Sequence, residues 1–374
     1  METAPLSPIF QSPGPFATVL VDVSHDSENA EHEHELRVRT ACDALTEQGA
    51  DPGVVQTVRE RLMEPVHRPA PVGRMLVVAG DKALLDEAVA VRVDQPVASY
   101  GPLPDLASWI QHRDSVLTFV LAVVDHVGGD VAIFDSGVPE PADETTAGGE
   151  TQHVHKVPVG GWSALRYQHV TENVWKQNAR DVADEILARV AEGIDLVLLA
   201  GDPQSRSLVL EAIEGSSATI VELESGSRAE DGGDEAMQQA VREALLDQVV
   251  RRRLALSREL KDRLGREYAV ATGVRDVADA FVRGQVETLL LDPLEAAELT
   301  LDPAQHAGLE LGAGAPSGPV PATQALVAAA ALTDAAVSVA PSSILGGAPV
   351  AALLRWDQDS TGSTGSTGSA GSAG

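Results

Sequence analysis

The richest run of residues able to bind or to react lies between His153 and Arg180. His153, His155, Lys156, Arg166, His169, Lys176 and Arg180 outnumber the acids Glu172 and Asp181 there. Gly160 and Gly161 permit backbone angles closed to other residues, so main chain at that point can approach a crowded partner closely. Trp162 follows with a flat stacking face. Ser163 is placed to cap a helix whose N-terminal dipole end adds positive potential. These residue types suit contact with phosphates and bases. A Gly-Gly turn ahead of a helix can equally be a turn and nothing more.

Other candidates are weaker. His25, His32 and His34 stand among Asp26, Glu31, Glu33 and Glu35, but His32-Glu-His-Glu-Leu36 lacks the second histidine of a His-Glu-x-x-His zinc motif. A solvated acidic helix start is expected there. Gly201-Asp-Pro-Gln-Ser-Arg206 follows an apolar strand and opens a helix, so its amides could hold an anion. It has neither ending of a nucleotide loop, and a structural turn is the expected role. Gly232-Gly-Asp-Glu235 matches a cyclase tetrapeptide only in letters, inside a polar linker. No Gly-x-Ser-x-Gly elbow is present, and spacing supports no Ser/His/Asp grouping. Cys42, the single cysteine, excludes an intramolecular disulfide and a cysteine-based zinc site. Its place in a helix predicts a buried, inert thiol. Arg251, Arg252 and Arg253 read either as a further contact or as one face of a charged helix.

The elements that must position these residues follow from hydrophobic period and breakers. A chain of 374 residues is long enough for two or three domains at roughly 100–200 residues each. The expected class is α/β, in three domains. Residues 1–15 form a flexible N-terminus. Residues 16–113 form an α/β domain with strands at Phe16–Val23, Arg74–Ala79 and Ala88–Val93. Residues 114–224 form a mixed-sheet α/β domain. In it, strand Ser115–Asp125 turns at His126-Val-Gly-Gly-Asp130, Gly137–Gln152 is a mobile loop, and the Gly-Gly-Trp loop leads into a long helix ended by Gly193. Residues 225–234 form a linker. Residues 235–356 form a C-terminal α/β/α sandwich that opens with a long charged helix and includes a disordered-looking stretch, Gly308–Pro321. Residues 357–374 form a flexible Ser/Thr/Gly tail.

Hydrophobic residues make up 44% of the chain and aromatics 3%, so Val, Leu, Ala and Ile must build the cores. Four lysines against many arginines, with the Ala/Gly/Asp/Val bias, point to a high-GC, actinobacterial source. A net charge of −29 repels phosphate, so nucleic acid can be held only by a local basic patch. Met1–Gln11 lacks a signal peptide's basic and apolar regions, and no apolar run reaches the ~20 residues of a membrane span. A cytoplasmic protein is expected, with no membrane partner, no small-molecule substrate, no cofactor and no metal.

The segment Gly160-Gly-Trp-Ser-Ala-Leu-Arg-Tyr167 resembles the loop of the archaeal and eukaryotic class-1 release factor family, with its paralogue Pelota and a bacterial branch typified by the hibernation factor Balon. That family carries Gly-Gly-Gln-Ser-Ala-Leu-Arg-Phe ahead of a long helix. The present sequence departs at the glutamine, where Trp162 stands, and conservatively at Tyr167. Val277–Leu291 resembles the family's helix-to-strand signature in the C-terminal domain. The resemblance implies an N-terminal domain for the decoding centre, a middle domain for the peptidyl-transferase centre and a C-terminal sandwich facing a translational GTPase such as elongation factor Tu. It implies ribosomal RNA contact through His155, Lys156, Gly160, Gly161, Trp162, Ser163, Arg166, His169, Lys176 and Arg180. Without the glutamine that places a hydrolytic water, the implied function is ribosome stasis. A rescue factor or peptidyl-tRNA hydrolase using the same loop is the alternative.

Overall fold

A computed structural model of the chain describes residues 1–25, 29–67, 71–136, 141–148, 162–224 and 234–357, the side chains of 162–173 and 234–235 excepted. The chain forms two compact units, one of residues 1–115 with 253–374 and one of residues 116–252.

In the first unit, a 3-10 turn (Ala4–Leu6) and helix α1 (Ser7–Phe10) precede β1 (Phe16–Asp22). Helices α2 (Ala30–Glu47) and α3 (Pro52–Met63) follow, then β2 (Gly73–Ala79), β3 (Lys82–Val89), β4 (Val97–Gly101) and α4 (Ala107–Arg113). The four strands form an antiparallel sheet in the order β3-β2-β1-β4. Every residue of β1 is buried, as its continuous apolar run requires of a strand covered on both faces. One face packs on α2 and α3 through Val19, Val21, Val38, Leu45, Val58 and Leu62.

The second unit begins with β5 (Thr118–Val124), β6 (Gly128–Asp135) and β7 (Asp143–Gly148), continues through α5 (Trp162–Ala191), β8 (Leu196–Gly201), α6 (Pro203–Ala212) and β9 (Thr219–Glu222), and takes in the first part of α7 (Asp234–Arg266). Its sheet runs β7-β6-β5-β8-β9. The β5-β8 and β8-β9 pairs are parallel, and the β5-β6 and β6-β7 pairs antiparallel. Helices α5 and α6 cover one face, while Met237, Val241 and Leu245 of α7 pack on the other.

The remainder of α7 belongs to the first unit, with β10 (Val270–Thr272), α8 (Val274–Val282), β11 (Val286–Leu291), α9 (Pro293–Ala297), β12 (Thr300–Leu301), β13 (Val320–Pro321), α10 (Ala322–Leu332), β14 (Ala336–Val339) and β15 (Val350–Leu354). The sheet β10-β15-β11-β14 has α8 and α10 on one side and Leu256, Leu260 and Leu264 of α7 on the other. Its α/β/α layering matches the expectation.

Four local expectations are corrected. Residues 1–15 are anchored: Leu6, Ile9 and Phe10 are buried in the cluster that holds α8 and α10, and Thr3 Oγ1 donates to the Ala335 carbonyl at 2.7 Å. Apolar burial there outweighs the chain entropy that favours a free terminus. Gly308–Pro321 is also placed, because Gly312 adopts φ +88° directly against Phe10, where a Cβ would meet the Phe10 carbonyl oxygen at 1.9 Å. The strand expected at Ala88–Val93 lies earlier, at Lys82–Val89, pairing with β2 as a hairpin. Part of Gly137–Gln152 forms edge strand β7, whose exposed polar residues bond to β6 through the backbone. The linker 225–233 and the tail 358–374 lie outside the described residues.

Candidate functional site

The Gly160-Gly161 loop is rooted on two elements of the second unit. On one side β7 ends at Gly148, paired with Gly128. On the other α5 begins at Trp162, so Ser163 lies inside the first turn instead of capping it. His153, His155, Lys156, Gly160 and Gly161 fall outside the described residues. Trp162, Ser163, Arg166 and His169 lie on the helical backbone of α5, their side chains outside the description.

The lower half of α5 is held firmly. Ala179, Val182, Ala183 and Ile186 are buried against β5, β6 and β8 at helical spacing. Asn178 is 3% exposed and donates from Nδ2 to the His126 carbonyl at 3.1 Å, tying the helix to the β5-β6 turn. Arg189 binds Glu185 at 2.6 Å and Asp143 on β7 at 2.8 Å. The other face of the helix carries Lys176 and Arg180, both exposed. They stand four residues apart, hence one above the other, and neither pairs with a carboxylate among the described residues.

A second cluster was not legible in the sequence. His126 stacks on Trp175 with ring centroids 4.1 Å apart and planes at 17°. Its Nδ1 lies 3.2 Å from Ser205 Oγ and 3.7 Å from Asp202 Oδ2. The group unites a histidine of the β5-β6 turn with an aspartate and a serine at the start of α6, 76 and 79 residues further on, which spacing cannot reveal. It is no catalytic triad. Both partners face the same ring nitrogen, whereas relay through a histidine needs one on each, and Ser205 is 3% exposed. Asp202 caps α6 by accepting the Ser205 N–H at 2.9 Å. That bond holds its carboxyl below the usual range, with His126 assisting against partial desolvation. A carboxylate already fills the helix N-terminus, so the 201–206 turn is structural, as expected. Gly201 has φ +109°, and a Cβ there would lie 2.0 Å from the Val124 carbonyl oxygen.

The remaining candidates divide. Arg251, Arg252 and Arg253 are exposed, with Arg251 paired to Asp247 at 2.5 Å and Arg252 to Asp195 at 3.9 Å. Cys42 is buried, and burial raises its thiol pKa. His34 departs from the solvated helix start expected of it, being 6% exposed beneath α3. Of Gly232-Gly-Asp-Glu235, only the backbone of Asp234 and Glu235 is described, as the first residues of α7.

Residues 118–266, which contain the whole of this arrangement, match the family model described as bacterial archaeo-eukaryotic release factor family 2. Over this segment the chain is similar to that family. Two Mycobacterium tuberculosis proteins, Rv2629 and MT2704, are each 27% identical over 301 residues, 78% of this chain and 78% of theirs. Among solved structures, the Saccharomyces cerevisiae protein Dom34, described as a translation termination-like factor, is 9% identical across 95% of this chain and 93% of its own, with a TM-score of 0.41. An archaeal Pelota from a ribosome-bound assembly is 14% identical across 94% and 93%, with a TM-score of 0.38. No helix among the described residues is long and apolar enough to cross a membrane.

Proposed function

We propose that this release-factor relative is a ribosome stasis factor, which occupies the A site as a release factor does and leaves peptidyl-tRNA intact. The observation that carries the reading is Trp162 at the head of α5, directly after Gly160-Gly161, inside the segment matched to the release factor family. Ester hydrolysis at the peptidyl-transferase centre needs a positioned water. An indole offers one N–H donor and no acceptor, so it cannot replace an amide that both gives and takes hydrogen bonds. Without that positioning the acceleration that comes from orientation is lost. The mechanism is steric: the loop and α5 fill the acceptor path without chemistry.

In this reading His155, Lys156, Gly160, Gly161, Trp162, Ser163, Arg166, His169, Lys176 and Arg180 meet ribosomal RNA, and Arg251–Arg253 add a peripheral contact. The exposed Lys176 and Arg180 on α5 support it, because a chain of net charge −29 needs such local cations to hold phosphate. The N-terminal part meets the decoding centre, and the C-terminal sandwich meets elongation factor Tu or a related translational GTPase, as in a Balon-type factor. Ribosome pelleting and cryo-EM of ribosomes from starved cells test the reading. Density in the A site is expected; absence from ribosomes under every stress overturns it. Incubating stalled peptidyl-tRNA complexes with the wild-type protein separates stasis from rescue. No peptide release is expected, and release would make the protein a hydrolase working through the same loop.

A further inference from the structure

Strand β4 lies at the edge of its sheet, with β1 on one side. The side chain of Gln48, at the C-cap of α2, lies along the other. Its Nε2 donates to the Ala98 carbonyl at 3.1 Å, and its Oε1 accepts the Tyr100 N–H at 2.8 Å. One residue of a parallel neighbouring strand would make the same pair of bonds, taking the carbonyl before Ser99 and the N–H after it. The main chain of Gln48 is itself held in place. Gly49 turns the chain at φ +84°, and the Ala50 N–H returns to the Leu45 carbonyl at 3.0 Å, closing the helix end as a Schellman turn does. An open edge is a template for a further strand, and native sheets blunt it with charge, shortness or cover. The other edges of the three large sheets carry such protection. β3 has Lys82, Asp86 and Glu87, β7 has Asp143 and Glu144, and β9 is four residues long and ends on Glu222. β10 has three residues, and the main chain of Val337 in β14 exchanges hydrogen bonds with that of Met1. β4 has five residues, Val-Ala-Ser-Tyr-Gly, and no charge. Its cover is Gln48.

We propose that the outer edge of β4 is a latent pairing surface for a second copy of this chain, held shut by the Gln48 side chain. The backbone sets the match. In an antiparallel ladder the N–H and C=O of one residue point the same way, so Ala98 and Tyr100 turn both groups away from β1. Two copies related by a two-fold axis at Ser99 pair Ala98 of each with Tyr100 of the other, and the two Ser99 residues meet face to face. Neither strand brings a charge to oppose the contact. The pairing is isologous and closes on itself, and Pro96 and Pro102 bound the strand, so the product is a dimer and not a fibre. None of these bonds can form while Gln48 holds the Ala98 carbonyl and the Tyr100 N–H.

The test compares the full chain and its Gln48→Ala variant by sedimentation equilibrium over a range of concentrations. Salt at about 0.15 M screens the charge on each copy beyond about 8 Å. Wild type is expected to remain monomeric. Gln48→Ala, and Gln48→Ser, whose side chain is also too short to reach β4, should rise about twofold in mass with concentration, as a closed dimer does. Adding Ser99→Cys to Gln48→Ala should give a disulfide-linked dimer on oxidation, because facing residues of a non-hydrogen-bonded pair bring their Cα atoms to about 4.5 Å. Cys42 is buried and does not compete. Ser99→Cys with Gln48 intact should stay monomeric. Hydrogen exchange at the Tyr100 amide separates this role from a simple fastening of α2 to β4: in Gln48→Ala it should be fast in dilute solution and slow in the dimer. Equal mass for wild type and Gln48→Ala across the range, or a cross-linking yield that does not depend on Gln48, overturns the proposal.

Discussion

Trp162 stands where the release-factor loop that this segment resembles carries a glutamine, and the difference is one of donors and acceptors. The wild-type protein is expected to release no peptide from stalled complexes above the no-factor control, measured by labelled-peptide release. Asp202 carries a second prediction. It caps α6 and accepts the Ser205 N–H, and Asp202→Ala should lower stability by about 1 kcal/mol, the usual loss for an N-cap, read from urea unfolding. Its carboxyl pKa is held down in the folded state. The stabilisation is thus present above the unfolded carboxylate pKa and disappears as pH falls through the lower folded value. The difference between wild type and Asp202→Ala should persist at neutral pH and shrink under strongly acid conditions; a constant difference would contradict the cap. The contact of Asp202 with His126 was absent from its sequence context, which shows only a strand-to-helix turn. His126 and Trp175 were equally silent, since their stack joins a turn to a helix 49 residues further on.

Helix α5 was legible as an element before its surroundings were known. Its apolar positions at mostly three-to-four spacing, Val182 and Ile186 among them, mark a face for burial, and those two are buried beside Ala179 and Ala183. Ile186→Ala should cost about 2–5 kcal/mol by opening a cavity beneath the helix, visible as a lower urea midpoint. Lys176 and Arg180 sit on the exposed side, and reversing both with Lys176→Glu and Arg180→Glu should weaken ribosome binding without loss of fold. If each neutralises one phosphate, the slope of log affinity against log salt should fall by roughly two. Unchanged affinity and slope would remove α5 from the contact surface. Edge strand β7 was missed because its residues are polar and exposed. Its place is set by backbone bonds to β6, which no hydrophobic pattern records.

The whole molecule shows where long-range packing takes over. The N-terminal segment, residues 1–15, was expected to be flexible. It is instead sealed by residues more than 300 positions away: Thr3 bonds to Ala335, and Phe10 shares a core with Leu311 and Leu326. Phe10→Ala should cost about 3–5 kcal/mol, and differential scanning calorimetry should show the loss in the first unit alone. An unfolding profile in which residues 116–252 lose as much would argue against two independent cores. The net charge of −29 also acts at this scale, because it repels phosphate and leaves any attraction to nucleic acid to local basic patches.

The sequence by itself determined the α/β class, the long helix behind Gly160-Gly161 and the substitution of Trp162 for the family glutamine, because period, turn residues and side-chain chemistry are properties of short segments. The tertiary structure alone decided that Leu6, Ile9 and Phe10 are core, that His126 meets Ser205 and Asp202, and that His34 is buried beneath α3. Those facts depend on which distant segments share a sheet face or a turn. That pairing is settled by the free energy of burying apolar surface over the entire chain, and no local pattern encodes it.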